Sequence, residues 1–207
     1  MEALILIDLQ NDFMPGGALA VPAGDEVVAV ANEMIGLFDL VVATRDWHPA
    51  DHSSFAVNHP GHEPGEVIEL DGLAQVLWPV HCVQNTFGAE LVRGLDSSGI
   101  QHVFFKGTDP SIDSYSAFFD NAHRRATGLG DYLKDRGVDH VYLMGLATDY
   151  CVQFSALDAV KLGFRTTVIE DGSRGVELQP GDTRHAIDRM RNAGIEILAS
   201  SEVRRRH

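Results

Sequence analysis

The feature that most constrains this chain is a series of short apolar runs without two-residue alternation: Leu4–Ile7, Leu40–Ala43, Val103–Phe105, Val141–Met144, Thr167–Ile169 and Ile195–Leu198. A strand that reads as continuously apolar is one covered on both faces, as in a parallel sheet. Helical patterns lie between the runs. Val27, Val30, Ala31, Met34 and Phe38 follow i, i+3, i+4, i+7 spacing, as do Val152, Ala156, Ala159 and Val160, and later Ile187, Met190 and Gly194. Gly137, Gly163 and Gly194 each stand where a helix should end before the next strand. Alternating strands and helices predict an α/β fold: three layers, α/β/α, around a central and mostly parallel sheet.

The 207 residues, 44% apolar and 22% charged, suit one globular unit, and no composition shift or linker marks a boundary. We therefore expect a single domain over 1–207. One segment, about 46–83, breaks the rhythm with clustered Pro and Gly and five histidines. A loop of that length inside a compact domain is usually functional or disordered, and its histidines and aromatics favour function. The net charge of −14 argues against a nucleic-acid partner. No apolar stretch reaches the roughly 20 residues of a membrane span. The start lacks the marks of a secretory leader, and two cysteines are too few for a disulfide scaffold. A reducing, cytoplasmic setting is the expectation. Arg204–Arg206 reads as a solubilising tail.

In open parallel sheets the ligand crevice forms beyond the carboxyl ends of the strands. The runs here lead into Asp8, into Thr44-Arg45-Asp46-Trp47-His48, into Lys106-Gly107, and through Gly145 to Thr148 into Cys151. A carboxylate, a possible metal pair, an amine and a thiol are thus expected at one edge. With Thr148 or Asp149 as N-cap, Cys151 falls in the first turn of a helix, where the dipole favours the thiolate. Packing is the alternative for Cys151, and the better one for Cys82 between Val80 and Val83. Asp8 can move a proton and Lys106 can hold the neighbouring charges. Asp46, His48 and His81 carry donor types suited to zinc, iron, manganese or cobalt. Ser54, His52, His59 and His62 share that loop. Gly145-Leu146-Ala147-Thr148 can form a turn whose N–H groups face a developing oxyanion. Phe13, Trp78 and Tyr115 could hold a flat ring.

These segments together resemble the nicotinamidase (pyrazinamidase) family of the isochorismatase-like cysteine hydrolases. The matching stretches are IDLQNDF from Ile7, TRDWHPADHSSF from Thr44, WPVHCVQ from Trp78, Lys106-Gly107, DSYSAF from Asp113 and GLATDYCV from Gly145, in family order across nearly the whole chain. The resemblance implies the isochorismatase-like hydrolase fold and a cytoplasmic enzyme of NAD salvage that converts nicotinamide, and pyrazinamide, to the acid and ammonia. It implies Cys151 as nucleophile, Asp8 as proton-transfer carboxylate and Lys106 as the third catalytic member. It implies one divalent metal, zinc first and iron or manganese as alternatives, on Asp46, His48 and His81. Ser54 falls where relatives with this loop add a direct or water-mediated ligand, although other members use Glu or His there. A cis Leu146–Ala147 bond, oxyanion donors at Ala147 and Cys151, and a ring pocket of Phe13, Trp78 and Tyr115 complete the set. The rivals are a hydrolase for another small amide, the isochorismatase branch, and a non-enzymatic metal or thiol sensor. Oligomeric state stays open.

Overall fold

A computed structural model describes all residues, 1–207, of the chain. The central sheet holds β1 (Glu2–Ile7), β2 (Val41–Asp46), β5 (His102–Lys106), β6 (His140–Leu146), β7 (Arg165–Arg174) and β8 (Glu196–Leu198), in the order β5-β2-β1-β6-β7-β8. Every pairing in it is parallel. All of the predicted runs lie in or run into these strands, since each is apolar on both faces. In β1, Leu4 and Leu6 enter one hydrophobic cluster and Ala3, Ile5 and Ile7 the other.

The helices supply the outer layers. The buried face of α1 (Glu26–Ile35), with Val27, Ala31 and Met34, packs on the Leu4 side. On the Ile5 side lie Leu129 and Leu133 of α2 (Leu129–Asp135), Ala156 and Ala159 of α3 (Gln153–Lys161), and Met190 of α4 (Asp182–Asn192). A last short helix, α5 (Ser200–Arg204), returns to the α1 side through Val203. Gly137, Gly163 and Gly194 all take positive φ at helix ends, as predicted. No helix is long and apolar enough to cross a membrane.

The loop expected to be irregular between 46 and 83 contains a two-stranded hairpin, β3 (Val67–Leu70) and β4 (Leu73–Val76). Its Asp71-Gly72 turn has both residues at positive φ, 49° and 79°. An Asp-Gly pair between apolar residues is a strong hairpin signal, and the clustered Pro and Gly around it obscured it.

The strand order fixes where a ligand can bind. The chain builds outward from β1 through β2 to β5, then crosses back to place β6 on the other side of β1. This reversal opens a crevice at the carboxyl ends of β1 and β6. Close approach there is secured by Gly145, paired with Ile7 at a φ of 128°. A Cβ at this position would meet the Ile7 carbonyl oxygen at 2.1 Å. We expect Gly145→Ala to cost at least about 2 kcal/mol, or about 5 °C in Tm. Gly163→Ala, whose Cβ meets nothing within 4 Å at a φ of 92°, should cost about 1 kcal/mol or less. Thermal denaturation of both variants checks the ranking.

Candidate active site

Residues 8, 46, 106 and 146 lie at the same edge because β1, β2, β5 and β6 are parallel and in close register, with Asp46 directly opposite Lys106. Asp8 follows the last residue of β1 in the left-handed region, φ 50°, a conformation Asp tolerates better than most residues. Its backbone N–H donates to Thr44 Oγ1 at 3.2 Å, and the Thr44 hydroxyl donates back to Asp8 Oδ1 at 2.6 Å.

Lys106 is the hub. Its Nζ lies 2.8 Å from Asp8 Oδ2, 2.5 Å from Asp46 Oδ1, 3.0 Å from the Ser114 carbonyl and 3.4 Å from Cys151 Sγ. The side chain is 2% exposed, so a partnered charge sits where a lone one could not. Burial works against the ammonium, but Asp46, Asp8 and Cys151 outweigh it and raise the Lys106 pKa well above its ordinary value. Burial also pushes Asp8 up, helped by the charge of Asp46 and opposed by Lys106. Despite the ion pair, Asp8 Oδ2 accepts no well-aligned hydrogen bond. A buried carboxylate oxygen with open acceptor capacity beside a thiol is suited to take its proton.

Cys151 sits differently from the sequence expectation. The N-cap is Ala147, in extended conformation, and neither Thr148 nor Asp149 caps the turn. The Asp149 carboxylate instead accepts from the backbone N–H groups of Val176 and Glu177, at 2.9 and 2.8 Å. The turn that carries Cys151 is widened, with Val152 N–H donating to Ala147 O five residues back at 3.0 Å, and α3 begins only at Gln153. Burial pushes the thiol pKa well up, and Asp8, Asp46 and Asp113 add to the rise against the opposing pull of Lys106. The Leu146–Ala147 bond is cis, as expected.

The metal-type cluster is assembled. One donor atom from each of Asp46, His48 and His81 falls within 4.8 Å of the others, and all three residues are buried. Asp46 Oδ2 lies 3.7 Å from His48 Nε2 and 3.8 Å from His81 Nε2. The Nδ1 atoms face the carbonyls of Gly107 and Pro79, at 2.9 and 2.8 Å. A carbonyl only accepts, so Nδ1 carries the proton on both rings and Nε2 keeps its lone pair for a cation. Burial and His48 bring the His81 pKa down to about 4. Burial opposes the charge on Asp46, yet Lys106, His48 and His81 hold its pKa far below the carboxylate range. The Gln10 side chain clamps the Asp46 backbone, accepting from its N–H and donating to its carbonyl, both at 2.8 Å.

Ser54 has another partner. Its hydroxyl meets His52 Nδ1 at 2.7 Å, while His52 Nε2 faces Ile112 O at 3.3 Å, so this buried pair stands beside the cluster. His59 contacts the Ser53 carbonyl, and His62 pairs with Glu66 at the surface. Cys82 is buried and free, as packing predicts.

A small pocket joins thiol and cluster. Phe13, Trp78 and Tyr115 line it together with Asp46, His81, Ala147 and Cys151. The sequence reading missed Leu19, Asp113, Tyr150 and Val176, which also line it. Tyr150 stands edge-on to Trp78 at 4.8 Å between centroids. The adjacency of Tyr150 to Cys151 was the available signal for it, whereas Val176 comes from a distant loop and carried none.

The isochorismatase domain family matches residues 2–202. The chain is 54% identical over 205 residues to the nicotinamidase of Escherichia coli (strain K12), covering 97% of this chain and 96% of that protein. Among solved structures, a nicotinamidase/pyrazinamidase of Acinetobacter baumanii superposes with a TM-score of 0.95 at 48% identity, covering 98% of this chain and 97% of the other. The pyrazinamidase of Pyrococcus horikoshii in complex with zinc superposes with a TM-score of 0.78 at 40% identity, covering 96% and 98%. Cysteine, carboxylate and lysine meeting at one sheet edge, and likeness along nearly the full length, lead to one conclusion: the chain belongs to the isochorismatase family.

Proposed function

We propose that this protein is an amidohydrolase that converts nicotinamide to nicotinate and ammonia, and accepts pyrazinamide in the same cavity. The observation that carries the reading is the contact of one ammonium with Asp8, Asp46 and Cys151 beside a pocket lined by aromatic side chains. The relatives named above carry the same activity in their names.

Cys151 begins protonated. As sulfur attacks the carboxamide carbon, Asp8 takes the thiol proton, and Lys106 steadies the carboxylate and the emerging thiolate. Backbone N–H groups of Ala147 and Cys151 receive the oxyanion. Collapse of the tetrahedral adduct breaks the C–N bond, and Asp8 returns the proton so that ammonia leaves. Asp8 then deprotonates a water that attacks the thioester carbon, and the acid departs as Cys151 regains its proton. Phe13, Trp78 and Tyr115 hold the ring in place for both steps.

Asp46 Oδ2 with the two Nε2 atoms makes an N/O donor set, and zinc is the ion we assign first, with iron or manganese as alternatives. When bound, the ion supplies a Lewis-acidic site that can take the ring nitrogen of the substrate. Ser54, whose hydroxyl meets His52, is assigned as a direct or water-mediated addition to this site. We assign the reaction to NAD salvage in the cytoplasm, a reading with which two buried free thiols are compatible. A thiol sensor would need an exposed, acidic sulfur, and Cys151 is neither.

Cys151→Ala should lower kcat for ammonia release from nicotinamide by at least about 10³-fold; turnover near wild type would remove Cys151 from its role. Lys106→Met should abolish turnover and also destabilise the fold by about 3 kcal/mol or more, because it strands Asp8 and Asp46 as buried charges. Dialysis against a chelator should abolish activity, with return on adding zinc, iron or manganese. A Cβ on Gly107 would meet His48 Cε1 at 2.3 Å. Gly107→Ala should therefore weaken metal affinity by about 10-fold or more, read by competition with a chromogenic chelator.

A further inference from the structure

The β3–β4 hairpin lies outside the six-stranded sheet, and its strand residues are otherwise exposed or half-buried. Gln75 is the exception, at 5% exposed. Its side-chain nitrogen lies 2.7 Å from Val76 O, 3.1 Å from Asp113 Oδ2 and 3.2 Å from the Tyr115 hydroxyl. A carbonyl and a carboxylate can only accept, so the NH₂ end of the amide belongs there. The Tyr115 oxygen also accepts from the Trp78 indole N–H at 3.3 Å. The Gln75 NH₂ has two hydrogens for these three oxygens, so its contact with the phenol is a shared one, and with the indole N–H it holds the Tyr115 ring against Trp78.

Asp113 continues the network inward. Its Oδ1 accepts from the Ser114 N–H at 2.7 Å, and the Ser114 carbonyl accepts from Lys106 Nζ. Asp113 and Tyr115 line the substrate cavity, whereas Gln75 stands behind them and does not. Gln75 is the side-chain donor to Asp113 Oδ2, so its loss leaves a buried carboxylate oxygen to find another partner.

We propose that Gln75 is a positioning residue for the substrate ring: from the hairpin, it locks Asp113 and Tyr115 into the cavity wall. This rests on the amidohydrolase reading above. Gln75 touches none of Asp8, Lys106 or Cys151, so it acts on the order of the wall and hence on ring binding, while the reacting groups stay in place. A residue that merely fills space would tolerate an apolar replacement of similar size. A donor to a charged acceptor does not.

The experiment compares Gln75→Leu, Gln75→Glu and Tyr115→Phe with wild type in steady-state ammonia release, together with Tm and bound metal by elemental analysis. Gln75→Leu should raise KM for nicotinamide about tenfold with kcat within about threefold and metal content unchanged. Gln75→Glu, which sets a carboxylate against Asp113, should raise it further. Combining Gln75→Leu with Tyr115→Phe should raise KM by less than the product of the single effects, because the two share one contact. An unchanged KM in folded Gln75→Leu, or a fall in kcat alone, overturns the proposal. If the Gln75 variants do not fold, Tyr115→Phe decides alone: unchanged KM overturns it. Should wild type release no ammonia, the amidohydrolase reading fails by itself. The near-ultraviolet circular dichroism of the aromatic cluster then decides for Gln75, and a Gln75→Leu spectrum equal to wild type overturns the wall-locking role.

Discussion

One buried ammonium governs this architecture. Lys106 is enclosed by two carboxylates and a thiol, and its charge and theirs would be costly to bury unpaired. Their mutual attraction is strong because water is excluded, and the same exclusion makes any missing partner expensive. The cluster therefore functions as a unit. It holds the Asp46 pKa far below the carboxylate range, while burial raises those of Asp8 and Cys151 against the pull of Lys106. That distribution suits a nucleophile activated at the moment of attack, when the carboxylate beside it can receive the proton.

The sheet is what makes such a cluster possible. Parallel strands deliver their carboxyl ends to one edge, and the reversal of strand order between β1 and β6 leaves a gap there that no crossover fills. Lys106 reaches Asp8 past the intervening strand β2, whose own last residue, Asp46, faces both the ammonium and the histidine cluster. Asp46 thus belongs to two assemblies at once. The ion-pair cluster beside the thiol and the metal-type donor set share one carboxylate, with Oδ1 facing the first and Oδ2 the second.

Much of this was legible beforehand. The central strands were readable because burial on both faces leaves no polar residue within a run, and their ends were readable because chemistry-bearing residues follow directly. Asp8, Asp46, His48, Lys106 and Cys151 carry such a signal, whereas His81 and the aromatic trio lie in connecting segments and were named by residue type and by the family resemblance. The local setting of Cys151 was misread, since neither Thr148 nor Asp149 caps its turn, and burial opposes the pull of the helix start on the thiol pKa. The hairpin at Asp71-Gly72 was overlooked among neighbouring Pro and Gly. Gln10, Gln75 and Val176 were invisible for a different reason: each acts on a group more than 30 residues or a whole element away, and no periodicity records that.

The amino-acid order by itself determined the layered α/β class, the edge at which chemistry gathers and the residue types present there, because hydrophobic periodicity and strand-end placement are local properties. Only the tertiary structure decided which nitrogen of each imidazole is free, which protons the cluster holds at rest, and which distant side chains brace the cavity. Those depend on distances of a few ångströms between segments far apart in the chain, where burial and charge act together and sequence spacing carries no weight.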